Sequence, residues 1–99
     1  MKRKKARIFE DGNLYHRCVR VLVEKEYEVG ILPDDSEDIK EGEKEVGFWY
    51  AKKHENEFYG ANPLTLLGVV SMWEHLGDAW REKGRKNFYY EILDAFYEE

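Results

Sequence analysis

The chain has 99 residues with 42% hydrophobic, 15% aromatic and 37% charged side chains, a net charge of −5 and one cysteine. That size supports one hydrophobic core, and the apolar content excludes disorder of the whole chain. A lone Cys18 excludes an internal disulfide and points to a reducing, cytoplasmic setting. No apolar run approaches the roughly 20 residues of a membrane span, and the basic start lacks the apolar stretch of a signal peptide.

Charge is unevenly distributed. Residues 1–20 hold seven basic and two acidic side chains, residues 21–45 three basic and ten acidic, and the remainder six basic and nine acidic. Such polarity favours an oppositely charged partner, a second copy or closure on itself, and composition does not choose among them.

In chain order, Met1–Arg7 reads as a basic, unstructured arm, and residues 8–99 as a single domain. Ile8 and Phe9 are the first residues suited to a core, and Glu10–Asn13 marks a turn or helix start. From Leu14 to Lys25 two periods compete. Leu14, Tyr15, Cys18, Val19 and Leu22 follow helical spacing, whereas Val19, Val21 and Val23 alternate as in a strand. The helix is preferred, because Asp11 or Asn13 offers a cap and a strand running on to Ile31 would be unusually long.

Tyr27, Val29 and Ile31 alternate with polar residues or glycine, which predicts a half-buried strand ended by Pro33. Residues 34–45, DDSEDIKEGEKE, read as an exposed acidic loop. Val46–Lys53 and a short segment from Phe58 predict two further strands joined by a link of about four residues, His54–Glu57. Asn62 and Pro63 then give the clearest helix start in the chain. Leu66, Val69, Val70, Trp73, Leu76 and Trp80 form a stripe, with Leu64, Leu67, Gly68 and Met72 on a second flank, so this helix needs cover on two sides. Gly77 is its natural end, Asp78 is placed to cap a short continuation, and Asn87 to cap a last helix with Phe88, Ile92, Phe96, Tyr89 and Leu93 along one side. The expected fold is α+β: an antiparallel sheet of about three strands packed against helices, in the order α-β-β-β-α-α.

The search for chemistry finds no assembled site. His75 and Asp78 share a helix face, but there is no His-Glu-x-x-His pattern and no third ligand. His16 and Cys18, two apart on a helix, diverge, so a Cys–His nucleophile pair is poor and Cys18 reads as a core residue. His54 fits a solvated turn. Asp34, Ser36, Asp38 and Glu45 match positions 1, 3, 5 and 12 of a calcium-binding EF-hand loop, but Ile39 stands where that loop needs glycine, and strands rather than helices are expected on both sides. No phosphate-cradling loop or nucleophile elbow is present, so no cofactor, metal or catalytic residue is assigned, and an enzyme without a recognisable motif is the least favoured reading.

The preferred expectation is a non-enzymatic domain that binds a protein partner with a basic surface, as an inhibitor or regulator, through Asp34, Asp35, Glu37, Asp38 and Glu41 with Trp49 and Tyr50 as aromatic anchors. In size and charge the chain is similar to small acidic inhibitors and immunity proteins, without a matched motif. Tyr90 and Tyr97 are further anchors if they face outward, although about half or more of the aromatic residues are expected in the core. The alternative is nucleic-acid binding through Lys2, Arg3, Lys4, Lys5 and Arg7, helped by Arg17 and Arg20 and opposed by the acidic remainder.

Overall fold

The computed structural model describes residues 5–33, 46–82, 84 and 86–98. Their elements are a 3-10 turn Gly12–Leu14, helix α1 (Tyr15–Glu24), strands β1 (Glu28–Pro33), β2 (Val46–Lys53) and β3 (Asn56–Gly60), helix α2 (Pro63–Leu76), a 3-10 segment Gly77–Arg81 and helix α3 (Phe88–Tyr97). The strands form an antiparallel sheet in the order β1-β2-β3. This is the α+β class that the alternating and helical periods predict.

Asp11 accepts the Asn13 N–H at 2.9 Å and so caps the 3-10 turn that leads into α1. Helix wins over strand between Leu14 and Lys25 because it buries Cys18 and Leu22, one turn apart, while Val21 and Val23 stay at the surface. The helix ends in a Schellman motif. Tyr27 N–H donates to the Leu22 carbonyl at 3.0 Å and Glu26 N–H to the Val23 carbonyl at 2.9 Å. Glu26 occupies the left-handed position, with φ of 72°, where glycine is usual. Ile8 and Phe9 do not reach the core and are largely exposed.

Register and alternation place Val29, Trp49, Ala51 and Phe58 on one face of the sheet. With Leu22 and Tyr27 from the α1 end and Leu66 and Val70 from α2, they make the core. Leu66 and Val70 are fully buried, as the stripe from Pro63 requires. Asn62 accepts the Thr65 N–H at 2.8 Å, which fixes the start of α2. Cover on two sides holds only for the first part of this helix. It packs on β3, β2 and α1, whereas Met72, Leu76 and, in the following segment, Trp80 remain exposed.

The other sheet face carries Gly30, Leu32, Phe48, Tyr50, Lys52, Glu57 and Tyr59. Tyr50 lies across Gly30 so closely that a Cβ there would meet the ring at 2.3–2.6 Å. The register slips between Leu32 and Pro33, where Gly47 lets β2 bulge; a Cβ on Gly47 would come within 2.9 Å of the Leu32 carbonyl. The β2–β3 link is two residues, His54 and Glu55, rather than about four. His54 has φ of 55°, the sign that a primed two-residue hairpin turn needs at its first central position.

A polar group closes one side of the core. The Tyr27 hydroxyl donates to Glu74 Oε2 at 3.3 Å, Lys25 Nζ pairs with Glu74 Oε1 at 3.0 Å, and Lys53 Nζ donates to the Lys25 carbonyl at 2.8 Å. Burial, followed by the Glu74 charge and the hydrogen bond to it, raises the Tyr27 phenol above its ordinary value.

Replacing Glu26 by glycine relieves the left-handed strain and is expected to stabilise the domain by about 0.5–1 kcal/mol, net of the added freedom of the unfolded chain. Thermal melting checks this, with a rise of a few degrees. The raised Tyr27 pKa has a definite sign: its contribution is complete below the ordinary tyrosine value of about 10 and is lost as pH rises through the higher folded value, because the unfolded chain releases the proton first. Tyr27→Phe is therefore expected to cost about 0.5–1 kcal/mol at neutral pH and to flatten the loss of stability as pH rises above the ordinary tyrosine value of about 10. Melts of both proteins across that range give the comparison.

Candidate functional site

A half-open cleft of about 400 Å³ lies beside β3. Phe58 forms its floor. Val69, Met72 and Trp73 from α2 make one wall, Trp80 and Arg81 close one end, and Glu55, Asn56 and Glu57 of the hairpin form the rim. Phe58 is held from two directions, by Tyr27 at a centroid distance of 6.0 Å in an edge arrangement and by Trp73 at 5.2 Å. The floor is therefore rigid and apolar.

Local sequence creates the cleft. Val69, Met72 and Trp73 recur at three- and four-residue spacing and share one flank of α2. At Gly77 the helix stops: its N–H still donates to the Trp73 carbonyl, but φ of 59° with ψ of −141° redirects the chain. The following 3-10 segment brings Trp80 back to the cleft, with the Arg81 guanidinium 5.5 Å from the ring centroid. On the opposite side β3 is the edge of the sheet, so the cleft runs beside a strand with an unpaired edge among the described residues.

The electrostatics are mixed. Glu55 and Glu57 put negative charge on the rim and Arg81 supplies one positive group. Glu57 accepts the Tyr59 hydroxyl at 3.3 Å and lies 3.9 Å from Lys52. Lys52 also stands 4.8 Å from the Tyr50 ring centroid. The cleft is suited to one or two large apolar side chains with a basic neighbour. It brings together no nucleophile with a base.

The residues singled out from sequence are scattered. Trp49 faces the core, half-buried against the central cluster, while Tyr50 points to the opposite sheet face, so the two do not form one patch. Tyr90 and Tyr97 are exposed on α3. Asp34, Asp35, Glu37, Asp38 and Glu41, the EF-hand comparison, and Lys2, Arg3 and Lys4 all lie outside the described residues. Lys5 and Arg7 are exposed, with Arg7 5.6 Å from the Phe9 ring centroid. Arg17 donates to the Asn13 carbonyl at 2.8 Å, and Arg20 pairs with Glu24 at 2.9 Å, a contact that raises its pKa. Cys18 is buried. His75 and Asp78 are exposed, and no group of three or more His, Cys, Asp or Glu among the described residues is arranged to hold a metal.

Sequence reasoning missed the cleft. By spacing, Met72, Trp73 and Trp80 belong to the helix flank or stripe, and the signal that separates Trp80 from the core is Gly77, which ends the helix before it. The proportion of buried aromatics was also overestimated, since ten of the fifteen are exposed.

No protein-family model, no curated protein and no solved structure matches this chain. No helix among the described residues is long and apolar enough to cross a membrane.

Gly77→Ala forces a Cβ into the left-handed backbone region, although no atom blocks the space around it. It is expected to cost about 1–2 kcal/mol and to expose Trp80 further, seen as a lower melting temperature and a red-shifted tryptophan emission. Trp80→Ala, by contrast, removes a side chain that is 45% exposed and should shift stability far less than a core truncation.

Proposed function

We propose that this chain is a non-catalytic protein-recognition domain that binds an extended segment of a partner along the edge of β3, with an apolar side chain in the adjoining cleft and basic residues near Glu55 and Glu57. The observation that carries this reading is the coincidence of a strand edge unpaired among the described residues with a cleft lined by Met72, Trp73 and Trp80. An exposed edge offers main-chain hydrogen bonds to any extended chain, and the pocket beside it selects the side chain. Exposed Trp and Tyr residues supply most of the energy at such surfaces.

The net charge of −5 supports a basic partner, and the ten acids of residues 21–45 add to the same long-range attraction. Regulation or inhibition of that partner is the corresponding role. A cytoplasmic setting belongs to this reading, supported by a single cysteine that is buried.

The alternative, nucleic-acid binding through the basic start of the chain, is supported by the exposure of Lys5 and Arg7. It is weakened by the pairing of Arg20 with Glu24 and by the acids at the cleft rim.

Selection of phage-displayed random peptides against the intact chain tests the proposal. The expected consensus is an aromatic or aliphatic residue next to Lys or Arg in an extended sequence. Trp80→Ala should weaken the selected peptides by about tenfold or more, and Glu55→Gln with Glu57→Gln should flatten their salt dependence. No enrichment, or peptides indifferent to Trp80→Ala, contradicts the reading.

A further inference from the structure

Helix α3 is well formed but uncovered. Asn87 caps it by accepting the Tyr90 N–H at 3.1 Å, yet the helix contains no buried residue. Phe88, Tyr89, Tyr90, Ile92, Phe96 and Tyr97 are 60–78% exposed. A ten-residue helix is marginal in water by itself and depends on packing of its apolar face. At roughly 150–250 Å² for each aromatic side chain, these residues present on the order of 800 Å². That exceeds the roughly 300–600 Å² of the largest apolar patch on a typical monomer and matches the roughly 800 Å² per partner of a standard interface.

The sequence of the helix indicates the occupant. FYYEILDAFY is nearly palindromic about the point between Ile92 and Leu93: Phe88 corresponds to Tyr97, Tyr89 to Phe96, Glu91 to Asp94 and Ile92 to Leu93. At about 100° per residue, Tyr89 and Phe96 lie at the centre of the apolar face, Ile92 and Leu93 flank it symmetrically, and Glu91 and Asp94 lie opposite. A two-fold axis through the middle of this helix sets Tyr89 against Phe96 and Ile92 against Leu93 of the other copy, apolar against apolar along the whole face, with only Tyr90 and Ala95 unmatched. Antiparallel pairing also keeps the acids of both copies in water, with Lys86 held 3.6 Å from Glu91 of its own helix. An anionic membrane surface is a poor occupant, because the polar sector of α3 holds only acids.

We propose that two copies of this chain associate through α3, packed antiparallel about a two-fold axis, with Tyr89 and Phe96 of each copy against Phe96 and Tyr89 of the other. This surface is separate from the cleft beside β3, so the dimer stands or falls independently of peptide recognition there.

Analytical ultracentrifugation of the full chain over a concentration series tests the proposal. The expected result is a reversible monomer–dimer equilibrium that Phe96→Glu and Tyr89→Glu each weaken by about thirtyfold or more, while Asp94→Asn leaves the dimer intact. The helix contributes nothing to the buried core, so both glutamate variants should keep the near-ultraviolet dichroism of the folded body, and that signal separates loss of pairing from loss of fold. A chain that stays monomeric at every concentration, with α3 covered by its own body or by another protein, overturns the proposal. So does a dimer that both glutamate variants leave unchanged.

Discussion

The structure depends on how closely α2 approaches the end of β3. Gly60 makes this possible: a Cβ there would stand 2.7 Å from the Leu66 backbone nitrogen and 2.9 Å from its Cα. With no side chain in the way, the first turns of α2 lie directly on the sheet, and Leu66 and Val70 lose all contact with water. Asn62 and Pro63 fix where the helix begins, so the same few residues determine both its start and its seat. Everything in the core, from Leu22 on α1 to Phe58 on β3, is arranged around that contact.

The same geometry determines what is left outside. Val70 is the last fully buried residue of α2; beyond it Met72 and Leu76 are exposed, and beside β3 lies the cleft of Phe58, Trp73 and Trp80. Gly77 then ends the helix and returns one tryptophan to that space. The core is small, two of its aromatic rings are fully committed, and the rest of the aromatic complement is distributed over the cleft, the open sheet face and α3. The proposed roles assign the cleft and α3 to different contacts.

Much of the fold was legible in the sequence. Asn62-Pro63 and Asn87 marked helix starts because a side-chain acceptor at those positions satisfies a first-turn N–H, a local effect that needs no knowledge of the tertiary structure. The antiparallel sheet followed from alternation in β1 and aromatic density in β2. Where the reading failed, the controlling feature left no local signature. His54 and Glu26 adopt positive φ in place of the expected glycine, so the two-residue hairpin and the Schellman end of α1 were not announced. Trp80 continued the stripe in spacing but not in space. The α3 pattern shows that one face must be covered, and periodicity alone does not specify by what.

Amide hydrogen exchange followed residue by residue tests the central claim, that the cooperative body is built on the α2–β3 contact and excludes α3. The account predicts that Leu66–Trp73 and the paired amides of β2 exchange slowest, by global unfolding, while Phe88–Tyr97 in dilute protein exchange orders of magnitude faster and gain protection only as concentration rises. Equal protection of α3 and α2 at all concentrations, or rapid exchange at Leu66–Val70, would contradict it.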